Sequence, residues 1–381
     1  MRPHSRRAVL TASLAVAAGT LARPALAAPG ATAHTPAAPD AKALSAALAG
    51  LPGTDATAAL VRVGGTGGSW RGSAGVHDLA SGRAADPDAL FRAGSTTKVV
   101  TAAAVLRLAA QGAVDLDAPV QRYLPALLGP AFEPVSVRRL LNHTSGIRAG
   151  DGWGEDFDDQ YAHRFETLSP AQVVASAVAK GPEFAPGERQ QYLNINYTVL
   201  GMLIEEVTGR SYASEAARLV LRPAGMTHTY FPGTDPRIRG PHNHGYQLVR
   251  NADGTTRFVD VTDWNQADRF AAGDMISTAA DLERLITALF RGRIVPRPQL
   301  REMVTLPRDI ADATYSAGLQ RFEYGHTVYW IKSGARYGYS TALAATRDLR
   351  RTLVYSVNST DAKGTSMNPV AERIAMAALK P

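Results

Sequence analysis

From Thr96 to Ala110 the chain is apolar almost all the way round a helical wheel, with Lys98 and Arg107 as its only charges. A helix without a polar face cannot lie on a surface, so other layers must cover it on every side. The chain has the material to do this, with 381 residues of which 45% are hydrophobic. Length and pattern together predict two domains, or one domain with a large insertion, built around one buried helix.

The elements on either side differ in texture. Ala58 to Val63 and Trp70 to His77 read as two strands joined by the Gly64, Gly65, Thr66, Gly67, Gly68 turn. Helix signals then dominate: Ser169 before Pro170, Asn196 to Val207 ending at Gly209, and Thr278 with Asp281 before Leu282 and Leu285. After Arg293 short runs return at Tyr339 to Thr346 and Arg351 to Val357, and Pro369 to Leu379 closes as a helix. An α/β (α+β) fold is expected, with residues 41–94 and 294–381 forming an α/β domain and residues 95–293 a helical one. The cleft between them is the expected site.

The formal charge of +7 overstates the basicity of the mature chain. Arg6 and Arg7 precede an apolar stretch from Ala8 to Leu21 and a small-residue cleavage site at Ala25, Leu26, Ala27, which reads as a twin-arginine-like export signal over residues 1–27. The apolar run falls short of the ~18 residues of a spanning helix, so no stable membrane anchor is expected. Residues 28–40, rich in Ala, Pro, Thr and Gly, read as a disordered leader. Without Arg2, Arg6, Arg7 and Arg23, the 41 basic residues fall to 37 against 34 acidic ones. The basic residues look scattered, so a nucleic-acid partner is not expected. A secreted, extracytoplasmic monomer without cysteine must rely on its core rather than on disulfides.

Lysine is confined to Lys42, Lys98, Lys180, Lys332, Lys363 and Lys380. Lys98 closes the only Ser-x-x-Lys, which begins at Ser95. Residues three apart on a helix share a face, so this spacing puts a nucleophile beside a base. A serine hydroxyl needs something to take its proton, and an amine serves once burial or a neighbouring cation has lowered its pKa. The helix N-terminus adds N–H groups that favour an oxyanion. Downstream, Tyr192, Leu193, Asn194 follow the Phe184, Ala185, Pro186, Gly187 turn. There a phenol near two lysines can ionise and relay protons, while an amide orients the serine–lysine pair. Lys332, Ser333, Gly334 follow the apolar run Val328 to Ile331 and suit a strand edge. The lysine would draw a substrate carboxylate, the hydroxyl would hydrogen-bond it, and the glycine would admit the substrate backbone.

Three such elements in this order resemble the fingerprint of the serine β-lactamase and DD-peptidase superfamily. The likeness is to the branch of class C β-lactamases, soluble D-alanyl-D-alanine carboxypeptidases and related esterases. It runs from about Leu44 to Leu379 and includes Leu140 to Ile147, Pro186 with Gly187, Gly201 to Glu205, Val207 to Gly209, and Gly225 to Thr227. The resemblance implies an antiparallel sheet flanked by helices, a mostly helical second domain and no cofactor or metal. It implies Ser95 as acylated nucleophile, Lys98 and Tyr192 as proton carriers, and Asn194, Trp264, Lys332, Ser333 and Gly334 as substrate contacts. The backbone N–H groups of Ser95 and Ala335 are implied as oxyanion hole. Expected partners are a peptidoglycan stem peptide or other small substrate, and β-lactam antibiotics. Leu193 departs from the usual small middle residue and Ser333 from the commoner threonine. The carboxypeptidase branch has histidine in place of Lys332, and its pocket arginine has Gln320 or Arg321 as counterpart.

Rival motifs are weaker. Gly338 to Ala342 nearly spells a nucleophile elbow but lacks the following helix. His242 and His244 lack a third metal ligand, and the acidic run Asp151, Glu155, Asp156, Asp158, Asp159 lacks calcium-loop spacing. D-alanyl-D-alanine carboxypeptidase is the leading expectation. A class C-like β-lactamase, a short-chain esterase and a non-catalytic sensor acylated by penicillin remain open beside it.

Overall fold

Asp40 starts the first helix, its carboxylate accepting the N–H of Ala43 at 2.9 Å. The computed structural model describes residues 37–154 and 156–380, so the expected export signal and the leader as far as residue 36 lie outside the described residues. The described end of the leader is held, because Arg351 Nη2 donates to the Ala37 carbonyl at 2.6 Å.

In chain order the elements are α1 (Ala41–Ala47), β1 (Ala56–Gly64), β2 (Trp70–Gly75), β3 (Phe91–Arg92), α2 (Thr97–Ala110), α3 (Val137–Leu141), α4 (Phe157–Ala162), α5 (Pro170–Ala179), α6 (Ile195–Thr208), α7 (Tyr212–Ala216) and α8 (Arg222–Ala224). There follow β4 (Tyr246–Arg250), β5 (Thr256–Asp260), β6 (Ile276–Ser277), α9 (Ala279–Phe290), α10 (Arg297–Leu300), β7 (Gln320–Tyr324), β8 (Thr327–Arg336), β9 (Tyr339–Thr346), β10 (Thr352–Ser359) and α11 (Pro369–Leu379).

The main sheet is antiparallel, with strand order β2-β1-β10-β9-β8-β7. Side chains alternate between its two faces with the period of two that a strand imposes. Ala59, Val61 and Val63, with Leu353, Tyr355, Val357 and Ile331, pack against Leu44 of α1 and Val370, Ile374 and Leu379 of α11. The intervening Leu60, Val354, Leu343 and Trp330 join the larger core that surrounds α2. Both faces are therefore covered, which is why β10 is buried along its whole length. The result is the mixed architecture expected, an antiparallel sheet flanked by helices.

Helix α2 is buried from Thr97 to Leu106, as its all-round apolarity requires. It packs on α6, α7 and α10. Tyr339 to Thr346 is a strand throughout, which removes the elbow reading. Helix α9, assigned to the helical part from sequence, packs against β1, β9 and β10. Strands β4, β5 and β7 had not been anticipated, because each is only five residues long and, as in Thr256–Asp260, carries little apolar alternation.

Candidate active site

Ser95 lies in a tight 3₁₀ turn, Gly94–Thr96, just ahead of α2 rather than in its first α-helical turn. Gly94 has φ +53°, a left-handed conformation that favours glycine, and a Cβ there would stand 2.6 Å from Ala335 N. Across the contact, a Cβ on Gly334 would stand 2.1 Å from Ala93 O and 2.9 Å from Ser95 N. Two glycines thus let the serine turn lie directly on β8. The backbone of β8 is free there, because β7 pairs only as far as Gln320 opposite Ile331. Arg336 and Tyr339 flank the two-residue turn into β9, so Ala335 opposite Ser340 is the non-hydrogen-bonded pair. Its N–H and C=O therefore face away from β9. The carbonyl indeed accepts Lys363 Nζ at 3.2 Å, and the amide shares the Ser95 side with the serine's own N–H.

Lys98 is fully buried. Its Nζ lies 3.0 Å from Ser95 Oγ, 2.7 Å from Asn194 Oδ1 and 2.7 Å from the Ala272 carbonyl. Burial pushes the lysine well below its ordinary value, and the nearby charges of Lys332, Arg269 and Lys363 push it further, against Asp274. A neutral amine has two N–H donors and one lone pair. Asn194 Oδ1 and Ala272 O have no proton to give, so they take the two donors, and the lone pair is left for the Ser95 hydroxyl.

The Tyr192 ring lies between two cationic side chains, 5.0 Å from Lys98 Nζ and 4.7 Å from Lys332 Nζ. Its hydroxyl is buried and faces Ser95 without reaching hydrogen-bond geometry. Burial, with Tyr315 adding, holds Tyr192 well above its ordinary value while Ser95 opposes, so the resting phenol keeps its proton. Lys332 is also buried, donates to the Ser333 carbonyl at 2.7 Å, and is pushed down by burial to about 7.

His143, within the Leu140 to Ile147 stretch that carries part of the resemblance, packs beneath the Tyr192 loop. It adopts φ +63° and is buried. Its ring packs on Tyr192 at 4.5 Å and on Tyr197 at 5.2 Å between centroids. Nδ1 accepts the Leu193 N–H at 3.4 Å. Burial and the charges of Lys98 and Lys332 keep the imidazole neutral.

Ser95, Lys98, Tyr192, Asn194, Lys332, Gly334 and Ala335 thus converge. Ser333 stands on the alternate side of β8 from Lys332, opposite Ala342, and is partly exposed. Trp264 is set apart from the hydrogen-bonded centre. It stacks on Tyr337 at 4.7 Å and meets Tyr161 at 6.1 Å, in a small apolar cluster beside the β8–β9 turn. Gln320 lies opposite Ile331, and Arg321 pairs with Glu323 at 2.9 Å. The fold brings His77 to within 5.4 Å of His244, ring to ring, but His244 Nδ1 is engaged by Asp260 at 2.7 Å. Among the described residues no group of side chains is arranged to hold a metal ion. Sequence reasoning missed the Ala272 carbonyl and a cluster of Arg269, Arg336 and Lys363 beyond Ala335, of which Arg269 and Lys363 act on Lys98.

Comparison with known proteins fits this geometry. The chain is 30% identical to a D-stereospecific amidohydrolase from Streptomyces sp., with a TM-score of 0.77 over 90% of this chain and 99% of that one. It is 36% identical over 204 residues to Esterase EstB of Burkholderia gladioli, covering 49% of this chain and 50% of the esterase. It is 27% identical over 301 residues to Penicillin-binding protein 4* of Bacillus subtilis, covering 75% of this chain and 64% of that protein. The chain therefore spans between half and two thirds of the length of these two curated relatives. The family profile described as Beta-lactamase matches residues 44–376, and the chain belongs to the beta-lactamase family.

Proposed function

We propose that this chain is an exported serine hydrolase that forms an acyl-enzyme on Ser95 and cleaves the amide bond before a C-terminal D-alanine. In this reading it is a D-alanyl-D-alanine carboxypeptidase, and penicillins acylate the same serine. The observation that carries the reading is the buried Lys98 amine, with Nζ 2.7 Å from both Asn194 Oδ1 and the Ala272 carbonyl and 3.0 Å from Ser95 Oγ.

The Ser95 proton passes to Lys98 Nζ as Oγ bonds to the substrate carbonyl carbon. Negative charge then collects on the carbonyl oxygen between the N–H groups of Ser95 and Ala335. When the C–N bond breaks, the leaving amine takes the Tyr192 hydroxyl proton, and Lys98 restores it. Water then attacks the ester, its proton passes through Tyr192 and Lys98, and Ser95 leaves with a proton. Lys332, beside Tyr192, faces the leaving group and receives its carboxylate. Support for D-configured substrates comes from the likeness to the D-stereospecific amidohydrolase and to the penicillin-binding protein.

Hydrolysis of short acyl esters is the second reading, favoured by the 36% identity to the esterase. Intact-mass analysis after penicillin exposure separates the readings. A persistent adduct on Ser95 together with D-alanine release from a diacyl-D-alanyl-D-alanine peptide supports the carboxypeptidase, and rapid loss of the adduct indicates a β-lactamase. No adduct, with turnover of short esters alone, sinks the penicillin-recognising reading in favour of the esterase.

A further inference from the structure

On β8 the side chains of Lys332 and Arg336 share one face with Gly334 between them, and the Ser95 turn sits over the glycine. The Lys332 side carries the proton machinery, with Tyr192 above the lysine. The opposite side is different. Arg336, 3% exposed, lies 3.4 Å from Asp268, and Arg269 lies 3.2 Å from the same carboxylate. Exposed Lys363 donates to the Ala335 carbonyl at 3.2 Å. Among the described residues Asp268 is the only carboxylate in ion-pair contact with any of these three cations. Burial pushes Asp268 up, yet Arg336, Arg269 and Lys363 together hold it below its ordinary value. Asp268 pairs directly with two of the three cations and Asp274 acts on Arg336 without an ion-pair contact, so Lys363 is left as a cation with no ion-pair partner among the described residues, next to the reaction centre. A Cβ on Gly273 would meet the Arg269 stem at 3.4 Å and the Gly94 carbonyl carbon at 3.6 Å together.

The tetrahedral carbon on Ser95 has its other directions assigned by chemistry. Its oxyanion faces the Ser95 and Ala335 amides, and its leaving group faces the Tyr192 proton. The acyl chain is left to run along β8 towards Arg336. Resting on the acyl-enzyme reading above, we propose that Arg269 and Lys363 form an anion subsite for the acyl portion of the substrate. The chain then selects donors bearing a carboxylate within a residue or two of the scissile carbonyl and rejects those with a free α-ammonium group. Arg336 and Asp268 orient Arg269 from below. A cation held on the Ala335 carbonyl repels an ammonium there and draws a carboxylate through charge-assisted hydrogen bonds.

The test uses three D-alanyl-D-alanine donors that differ only at the N-terminus: N-succinyl, N-acetyl and free amine. Calorimetric binding to a Ser95→Ala chain reads the subsite without catalysis, and kcat/KM of the unsubstituted chain reads it in turnover. The expected order is succinyl, acetyl, amine, each step about tenfold, the scale of one charge-assisted contact. In Arg269→Gln with Lys363→Met the succinyl and acetyl donors should come within about twofold, and Arg269→Lys should recover part of the preference. Equal binding of the three donors, binding of none, or an unchanged order in the double variant overturns the proposal. If acylation of Ser95 is absent while the Ser95→Ala chain keeps the succinyl preference, the subsite stands and only the catalytic reading fails.

Discussion

Asn194 meets the Lys98 amine at 2.7 Å through its side-chain oxygen, an acceptor that cannot be exchanged for a donor without consequence. Replacing it with a carboxylate, Asn194→Asp, puts a negative charge beside Lys98 and favours the ammonium form. Acylation by a penicillin should then slow, and its acid limb should move to higher pH. Stopped-flow acylation rates across pH check both. An unmoved limb counts against Lys98 as the base.

Lys98 must be neutral to accept the Ser95 proton, and its pKa lies well below the ordinary lysine value because of burial and then of Lys332, Arg269 and Lys363. The acylation rate should therefore fall as pH drops through that lowered value. Lys98→Ala should lose roughly 10²–10⁴-fold in acylation, the usual contribution of a general base, with the fold retained by circular dichroism.

Gly334→Ala tests the contact between the serine turn and β8. The new Cβ would stand 2.1 Å from Ala93 O, so the turn must move off the strand and the two oxyanion amides must separate. Overpacking of this kind costs about 1–3 kcal/mol. A lowered Tm accompanied by a fall in acylation of at least about 100-fold is expected. Normal acylation would show that the close approach is dispensable.

Lys332 gives a signed stability prediction. Its folded value of about 7 is depressed from 10.5 by burial. Between these values the unfolded chain binds the proton and the folded chain does not, so Lys332 makes stability rise with pH through this window, by up to about 1.4 kcal/mol per pH unit. The gain is complete above 10.5 and absent below about 7, where both states are protonated. Lys332→Met should flatten the denaturant-midpoint profile between these limits, apart from the share due to Lys98. An unchanged slope would refute the burial argument.

Local spacing made part of the site legible. Ser95 and Lys98 are three residues apart across the 3₁₀ turn that leads into α2, and the all-round apolarity of α2 announced that the lysine would be buried. The strand at Lys332 followed from Val328 to Ile331, and the Ser169 cap was visible in its Pro170 neighbour. What stayed hidden depends on distant chain segments. The second acceptor of Lys98 is the main-chain oxygen of Ala272, and a carbonyl has no sequence signature. Arg269, Arg336 and Lys363 look scattered in sequence because the β8–β9 turn and the loop after β10 bring them together. The balance at Tyr192 was hidden for the same reason, because burial, a tertiary quantity, raises the phenol against the effect of the neighbouring cations.

The pairing of β1 with β10, Leu60 opposite Ser356, also sets a timetable. A chain leaving the ribosome presents its serine, lysine and tyrosine long before the strand that carries the second oxyanion amide. On the acyl-enzyme reading, the two amides that would hold the oxyanion come together only once the closing strands dock, so reactivity waits for the sheet to close.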